Sequence, residues 1–409
     1  MELVVARAAG LDVHKKTVVA TVHTPERRET RTFGTMTVDL EGLAAWLREQ
    51  GVTHAVMEST GSFWLPVYNI LEQDEQDAFK LVVVNAQHVK QVPGRKTDVK
   101  DSEWLCDLLR HGLLRASFIP DKEHRERREL VRYRKALIRE RANEVNRVQK
   151  LLEGANIKLA SVATDVLGVS GRQMLEALVA GTTDPQAMAA LAKGKLKRKQ
   201  AALEQALAGL VGAHQRFVLR EQLGHIDDLD ARIARLSAEL EARLRPFAAA
   251  QAALDTIPGV GRLTAEVLLA ELGPDLGRFP SAAHLASWAG LCPGNHESAG
   301  KRFSGRTRKG NPWLRDALVE AAWAAARTKH TYLGAQYHRL AARRGAKRAL
   351  VAVAHTLLVI VYHVLTTGEV YRELGADYFD QRNKDALARR LVKRLSTLGY
   401  AVALEPLAA

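Results

Sequence analysis

Asp98 and Asp101 stand one helical turn apart in KTDVKDSEWLCDLLRHG, residues 96–112. At that spacing both carboxylates project from one helix face. Leu105 and Leu108 continue the face in steps of four and three, an apolar stripe that turns toward a core. An unpaired charge at the end of such a stripe is costly. A bound cation, a basic partner or a place at the rim of the core would each relieve it. The structural alternative is a helix start, where acids suit the macrodipole. Two further acids precede this pair. Asp12 sits inside the strand-like AAGLDVH, where Asp is disfavoured, and Glu58 ends HAVMES before the breaker Thr60-Gly61. Carboxylate oxygens are the ligands that hard divalent ions such as Mg²⁺ or Mn²⁺ take. Two such ions, roughly 3.5–4 Å apart, would clamp the attacking and leaving oxygens of a phosphodiester.

A second group of reactive residues lies near the other end of the chain. The loop from Gly294 to Arg315 carries Lys301, Arg302, Arg306, Arg308, Lys309 and Arg315 against the single acid Glu297. Two serines, Ser298 and Ser304, stand in it. A serine hydroxyl becomes a nucleophile only when its proton is removed and the developing charge is neutralised. A basic loop can hold a phosphate and stabilise that charge. A loop serine on its own is usually a cap or a surface residue.

The elements that must position these groups follow from periodicity. AAGLDVH alternates, with Leu11 and Val13 on one face and Gly10, Asp12 and His14 on the other. His14-Lys15-Lys16 is the turn, TVVATVH the returning strand and RETRTFGTM a third. Residues 38–50 read as an amphipathic helix, 54–59 and 79–85 as strands. From Asp121 to Glu153 the chain is highly charged, 11 basic against 7 acidic residues, with Val131, Ile138, Val145 and Leu152 at sevenfold spacing. This predicts a long helix, either a solvated bundle helix or one whose Arg-rich face holds nucleic-acid backbone. Residues 154–200 read as short helices. Their basic run LAKGKLKRKQ, 191–200, is most simply solvated. Ile226, Leu229, Ile233, Leu236, Leu240 and Phe247 follow a coiled-coil register, with a partner in the same chain or in a second protomer. LDTIPGVGRLTAEVLLAELG, 254–273, resembles a helix-hairpin-helix. The backbone at Gly259 and Gly261 would bind a phosphate without reading bases. An ordinary joint between two helices is the alternative. Asn311-Pro312 predicts a helix start. Ala349 to Leu365 is slightly short for a membrane span and carries His355 and His363, so it reads as a buried helix. The tail after about Asp377 gives no clear signal.

With 409 residues the chain can build two or three cores. Its net charge of +14 points to a polyanionic partner, most simply nucleic acid, or to a merely basic protein. Cys106 and Cys292 form no metal-type spacing, and a reducing cytoplasm fits them. The N-terminus has no signal-peptide layout.

The order strand with Asp12, strand with Glu58, strand, helix with Asp98 and Asp101 resembles a ribonuclease-H/RuvC-like α/β domain. GLDVHKKTVVA, MESTGSFW and KTDVKDSEWLCDLLRHG are similar to the three acidic motifs of the DEDD insertion-sequence transposases of bacterial family one-ten, described as bridge-RNA-guided recombinases. Asp12, Glu58, Asp98 and Asp101 fall on the family's D, E, D and D. Ser102 replaces the usual Ala of TDxxDA. Residues 279–327 resemble the family's second hallmark: an AGL.P segment, a Ser-x-Gly-Lys segment, then KGN..LR. The resemblance puts the nucleophile at Ser298, with Ala299 where Gly is usual, and leaves Ser304 as its rival. It implies an RuvC-like domain over 1–120 and a long helical coiled-coil region over 121–249. It further implies an all-α C-terminal domain with a helix-hairpin-helix over 250–375, then a tail over 376–409. It implies Mg²⁺ or Mn²⁺ on the four acids and phosphate contacts from Gly259, Gly261, Lys301, Arg302, Arg306, Arg308 and Lys309. The implied partners are double-stranded DNA, a non-coding guide RNA and a homodimer or tetramer, in the bacterial cytoplasm and away from the membrane. Two rival readings are a Holliday-junction-type metal nuclease that uses water, and a non-catalytic nucleic-acid-binding protein.

Overall fold

Alternating apolar residues and tight turns near the N-terminus produce a five-stranded sheet in the order β3-β2-β1-β4-β5. The computed structural model describes residues 3–59, 61–73, 79–89, 101–294 and 296–405, with only the backbone at Gln87, His296 and Arg302. The chain divides into two compact units, Met1–Asp121 and Lys122–Ala409.

In the first unit β1 (Ala8–Val13), β2 (Thr17–His23) and β3 (Arg28–Gly34) form an antiparallel meander. Helix α1 (Thr37–Glu49) leads to β4 (His54–Glu58), α2 (Trp64–Glu72) to β5 (Lys80–Val84), and α3 (Ala86–Val89) follows. Strands β1, β4 and β5 are parallel, as the helical crossovers require. Both faces of β1 are covered. Ala9, Leu11 and Val13 pack with Leu40, Leu43, Leu47, Val67 and Leu71 of α1 and α2. On the other face, Ala8 of β1 and Val56 of β4 pack with Leu105, Cys106, Leu108 and Leu109 of α4 (Asp101–Arg110). The predicted apolar stripe of α4 is therefore buried.

The second unit is helical apart from one hairpin. It opens with α5 (Lys122–Gly154), followed by α6 (Leu159–Val162), α7 (Val169–Ala180), α8 (Pro185–Ala189) and α9 (Gln200–Leu207). Next comes α10 (Ala213–Leu244). Helices α5 and α10 lie antiparallel in the same chain. Glu126 bonds Arg243, Arg134 bonds Ser237 and Arg141 bonds Asp230, so one number falls as the other rises. The apolar seam differs from the predicted sevenfold one. Val131, Leu137, Val148 and Leu152 are buried, whereas Ile138 is exposed. A straight helix drifts from a seven-residue repeat. On α10, Ile226, Leu229 and Leu240 are buried, but Ile233 and Leu236 are only partly so, as is Phe247 in the 3₁₀ turn that follows the helix. Polar pairs occupy the middle of the seam. At its far end α5 and α10 join α6–α9 in one core around Leu159, Met174, Leu175 and Leu203.

The remaining elements are α11 (Ala248–Asp255), α12 (Arg262–Leu272), α13 (Ala282–Trp288), β6 (His296–Ser298), β7 (Lys301–Ser304), α14 (Pro312–Arg327), α15 (Tyr332–Arg344), α16 (Ala346–Thr367), α17 (Tyr378–Arg382) and α18 (Lys384–Thr397). Their core centres on α16, which is apolar and long enough to cross a membrane. Leu350, Val353, Leu357, Leu358 and Val361 are nevertheless buried among Leu268, Leu285, Leu314 and Leu318. The region expected to be all-α contains the β6–β7 pair, and the featureless tail contains α18. Helix α12 is buried on every side from Ala265 to Leu272, yet holds Glu266 and Glu271, which are 1% and 0% exposed. Burial of those charges is offset by arginines of α5. Arg134 Nη1 meets Glu266 Oε2 at 2.6 Å, with both side chains at most 3% exposed.

Candidate functional site

Asp12, Glu58 and Asp101 lie toward the same end of the sheet in the first unit. Leu11 lies opposite Met57 in the β1–β4 register, so Asp12 and Glu58 occupy the next position along each strand. Both share the side-chain parity of Ala8 and Val56, and thus the face that α4 covers. Gly10 lets α4 approach: a Cβ there would meet Ser102 O at 2.1 Å and Cys106 N at 2.5 Å. Helix α4 runs opposite to β1, since Ser102 lies over Gly10 while Arg110 O accepts from Val4 and Val5 N–H at the other end. Its first residue, Asp101, is therefore at the same end of the sheet as Asp12. Asp98 lies outside the described residues. Among the described residues no group of three or more His, Cys, Asp and Glu side chains is close enough to hold a metal ion. What is present suits a hard cation in donor chemistry. Asp12 and Glu58 are partly buried carboxylates and Asp101 is exposed.

The contacts that surround Asp12 and α4 are not evident from the sequence. His14 Nε2 stands 3.1 Å from Asp12 Oδ2. His14 is the first residue after β1, two positions beyond Asp12. On the outer side of α4, Arg28 meets Glu103 at 3.2 Å and Asp107 at 3.6 Å, and His23 meets Asp107 at 3.4 Å. Arg110 Nη1 is 2.7 Å from His23 Nδ1. Burial, with the Arg110 charge next, holds the His23 pKa below the ordinary histidine value. Cys106, under the sheet, has its thiol pushed up to about 12 by burial. It is a packing residue, as a neutral buried thiol should be.

In the second unit, β6 and β7 form a hairpin in which Ser298 pairs with Lys301. Ala299 and Gly300 are the whole turn, with φ of +49° and +74°. Positive φ at both central residues is the condition of a type I′ turn, whose twist matches the strands. Ala299 meets it at a cost that glycine would avoid. Ser298 thus flanks the hairpin tip, exposed, and its hydroxyl bonds to none of the described residues. Ser304 Oγ differs: it accepts from Arg306 N at 3.1 Å and so shapes its own loop. Lys301, Arg306, Arg308 and Lys309 are exposed and form no ion pair among the described residues, while for Arg302 only the backbone is described. The stem is closed where Gly294 N donates to Arg306 O at 3.0 Å, and Asn311 caps α14 by accepting from Trp313 N and Leu314 N.

Helices α11 and α12 flank the Pro258–Gly261 turn. At Gly259, φ is +87° and a Cβ would meet Ala321 O at 2.3 Å, so this glycine serves close packing against α14. Gly261 is the exposed N-cap of α12 and has open space around it. The basic run 191–200 contains an exposed 3₁₀ turn, Gly194–Lys199.

Residues 9–157 match a family model described as "Transposase", and residues 251–339 match "Transposase IS116/IS110/IS902 family". The chain is 27% identical to a "Probable family 20 transposase" of Pseudomonas aeruginosa over 69% of its length and 75% of that protein. It is 26% identical to the "Transposase for insertion sequence element IS1111A" of Coxiella burnetii over 71% of its length and 72% of that protein. A "Pilin gene-inverting protein" of Moraxella bovis is 34% identical over 27% of this chain and 35% of its own.

Proposed function

The chain belongs to the transposases of the IS116/IS110/IS902 family, enzymes that act on DNA, and from that premise we propose that it cuts and rejoins DNA strands through a phosphoserine intermediate at Ser298. The observation that carries this reading is an exposed serine at the tip of an ordered hairpin whose cations have no ion-pair partner among the described residues. In the first step Ser298 Oγ attacks the scissile phosphorus and gives up its proton. A P–Oγ ester forms, the bond to one sugar oxygen breaks, and that oxygen leaves as a hydroxyl. Attack by a second strand's hydroxyl reverses the step and returns Ser298. Because one phosphoester replaces another, no ATP is needed. Lys301, Arg302, Arg306, Arg308 and Lys309 steady the added negative charge, and the backbone at Gly259 and Gly261 adds contacts to phosphate. Ser298 is preferred to Ser304 because the Ser304 hydroxyl already has a structural bond.

Asp12, Glu58, Asp98 and Asp101 would hold Mg²⁺ or Mn²⁺ in an RuvC-like domain; when bound, the ion supplies Lewis-acid stabilisation of phosphate oxygens. The neighbouring register positions of Asp12 and Glu58 support this. A guide RNA, and assembly as a dimer or tetramer, belong to the same proposal through the family resemblance.

The test is a denaturing gel after mixing the enzyme with a nicked DNA substrate. A protein–DNA adduct should form, vanish in Ser298→Ala and persist in Ser304→Ala. Asp12→Asn and Glu58→Gln should weaken Mn²⁺ binding to folded protein. Metal-dependent cleavage with no adduct on any substrate would instead favour the water-using nuclease.

A further inference from the structure

We infer that Glu271 is a positioning residue that fixes the serine hairpin to the long helix α5 through Asn311; the inference rests on the serine reading above. Glu271 is 0% exposed. Its two oxygens take a parallel pair of bonds from Arg132 of α5, Nε to Oε1 at 2.7 Å and Nη2 to Oε2 at 2.8 Å. Oε2 also accepts from Asn311 Nδ2 at 2.6 Å, and Arg128 Nε lies 3.7 Å away.

Asn311 is the last residue of the basic loop and the first cap of α14. Its amide has a different task on each side. Oδ1 faces the N–H groups of Trp313 and Leu314, while Nδ2 faces the carboxylate. Two N–H donors on one side and an anion on the other allow only this orientation. The helix cap needs Oδ1 alone, so the bond to Glu271 is not required for α14 to begin. That bond instead fixes where the loop ends relative to α5. Arg139 of α5 lies over the Trp313 ring, 5.4 Å from its centroid, and extends the same attachment by one residue pair. A carboxylate held by a bidentate arginine is a stiff anchor, because the guanidinium fork sets direction as well as distance. Misplacing a reacting group by about 1 Å can cost on the order of a hundredfold in rate. Glu271 would act through Asn311 on the placement of Ser298, without touching substrate.

Asn311→Asp separates this role from simple support. Asp caps a helix as well as Asn does, yet it replaces the donor toward Glu271 with a second carboxylate. Adduct formation in a single turnover at saturating DNA should fall roughly tenfold to a hundredfold, with the DNA Kd within about twofold of wild type. Native trypsin cleavage at Lys301, Arg306, Arg308 and Lys309 should accelerate. Asn311→Ser keeps a capping oxygen but has no amide donor for Glu271, and without adding a charge it should slow adduct formation and speed proteolysis in the same direction. An unchanged adduct rate and unchanged proteolysis in Asn311→Asp would overturn the proposal. So would an Asn311→Ser variant with the wild-type adduct rate and proteolysis. If wild-type enzyme cleaves DNA but forms no adduct, the serine reading fails. Proteolysis alone then decides whether Glu271 holds the hairpin.

Discussion

Removing one partner of the Arg134–Glu266 pair should destabilise the second unit far more than removing both. The pair is 2.6 Å apart, with side chains 3% and 2% exposed. Ser237 accepts from Arg134 at 3.4 Å, and Arg262 Nε reaches Glu266 Oε1 at 3.0 Å. Glu266→Leu leaves the buried guanidinium with one hydroxyl for a partner, a loss of about 3–5 kcal/mol. Arg134→Met/Glu266→Leu removes both charges from a site that is almost fully buried. It should be neutral or stabilising by about 1–4 kcal/mol. Arg262 then keeps Glu241 at 2.8 Å in a solvated setting, where the pair contributes little. The assay is urea unfolding followed by hydrogen exchange of α12 amides, which reports this unit alone. With m near 1–3 kcal/mol/M, the single change should lower the midpoint by on the order of 1–5 M. A single variant within about 1 kcal/mol of wild type, or a double variant as weak as the single, would refute the reasoning: water would then be stabilising the isolated charge.

Ala299→Gly should relieve the left-handed strain at the hairpin tip and stabilise the turn by about 1 kcal/mol. Slower native trypsin cleavage at Lys301 is the measure, and Ala299→Asn should act in the same direction. Of the two thiols, the half-buried Cys292 should react with a thiol reagent in native protein, while Cys106, raised to about 12, should react only on unfolding. The depressed His23 and His54 values mean that the unfolded chain binds more protons than the folded one in the acidic part of the histidine range. Their contribution to stability is thus intact above the ordinary histidine pKa and declines as pH falls below it. Thermal unfolding at pH 7.5 and about pH 5.5 checks this, and His23→Gln should flatten the difference.

The sheet was legible because strands announce themselves by alternation and turn residues, as Leu11 and Val13 against Gly10 and Asp12 show. Helix α2 was missed although Trp64, Val67, Tyr68 and Leu71 keep helical spacing. Thr60-Gly61 reads as a breaker, and Pro66 falls in the first turn of the helix, where proline is tolerated. The β6–β7 hairpin gave little warning, since Ala-Gly is a far weaker turn signal than Asn-Gly. On α5 the sevenfold pattern favoured Ile138, but Leu137 is the buried neighbour. At the candidate site, the types and order of the acids were readable. Their closeness was not, because adjacency of Asp12 and Glu58 depends on a parallel register between strands more than forty residues apart. Glu266 and Glu271 were visible as acids inside an apolar helix. Only the fold reveals that α5 supplies their arginines.

The antiparallel pairing of α5 and α10 also bears on how this chain can change length. The two legs are joined along their run, so the segment between them, residues 155–212, begins and ends at neighbouring points. Closing a loop there has little dependence on its size: each doubling adds only about 0.6 kcal/mol. The head carried by the legs is therefore the place where insertion, exchange or fusion of a folded module should be best tolerated. Shortening it to a tight turn would also expose Val148, Leu152, Leu219 and Leu223, so a trimmed chain needs polar replacements at those four positions.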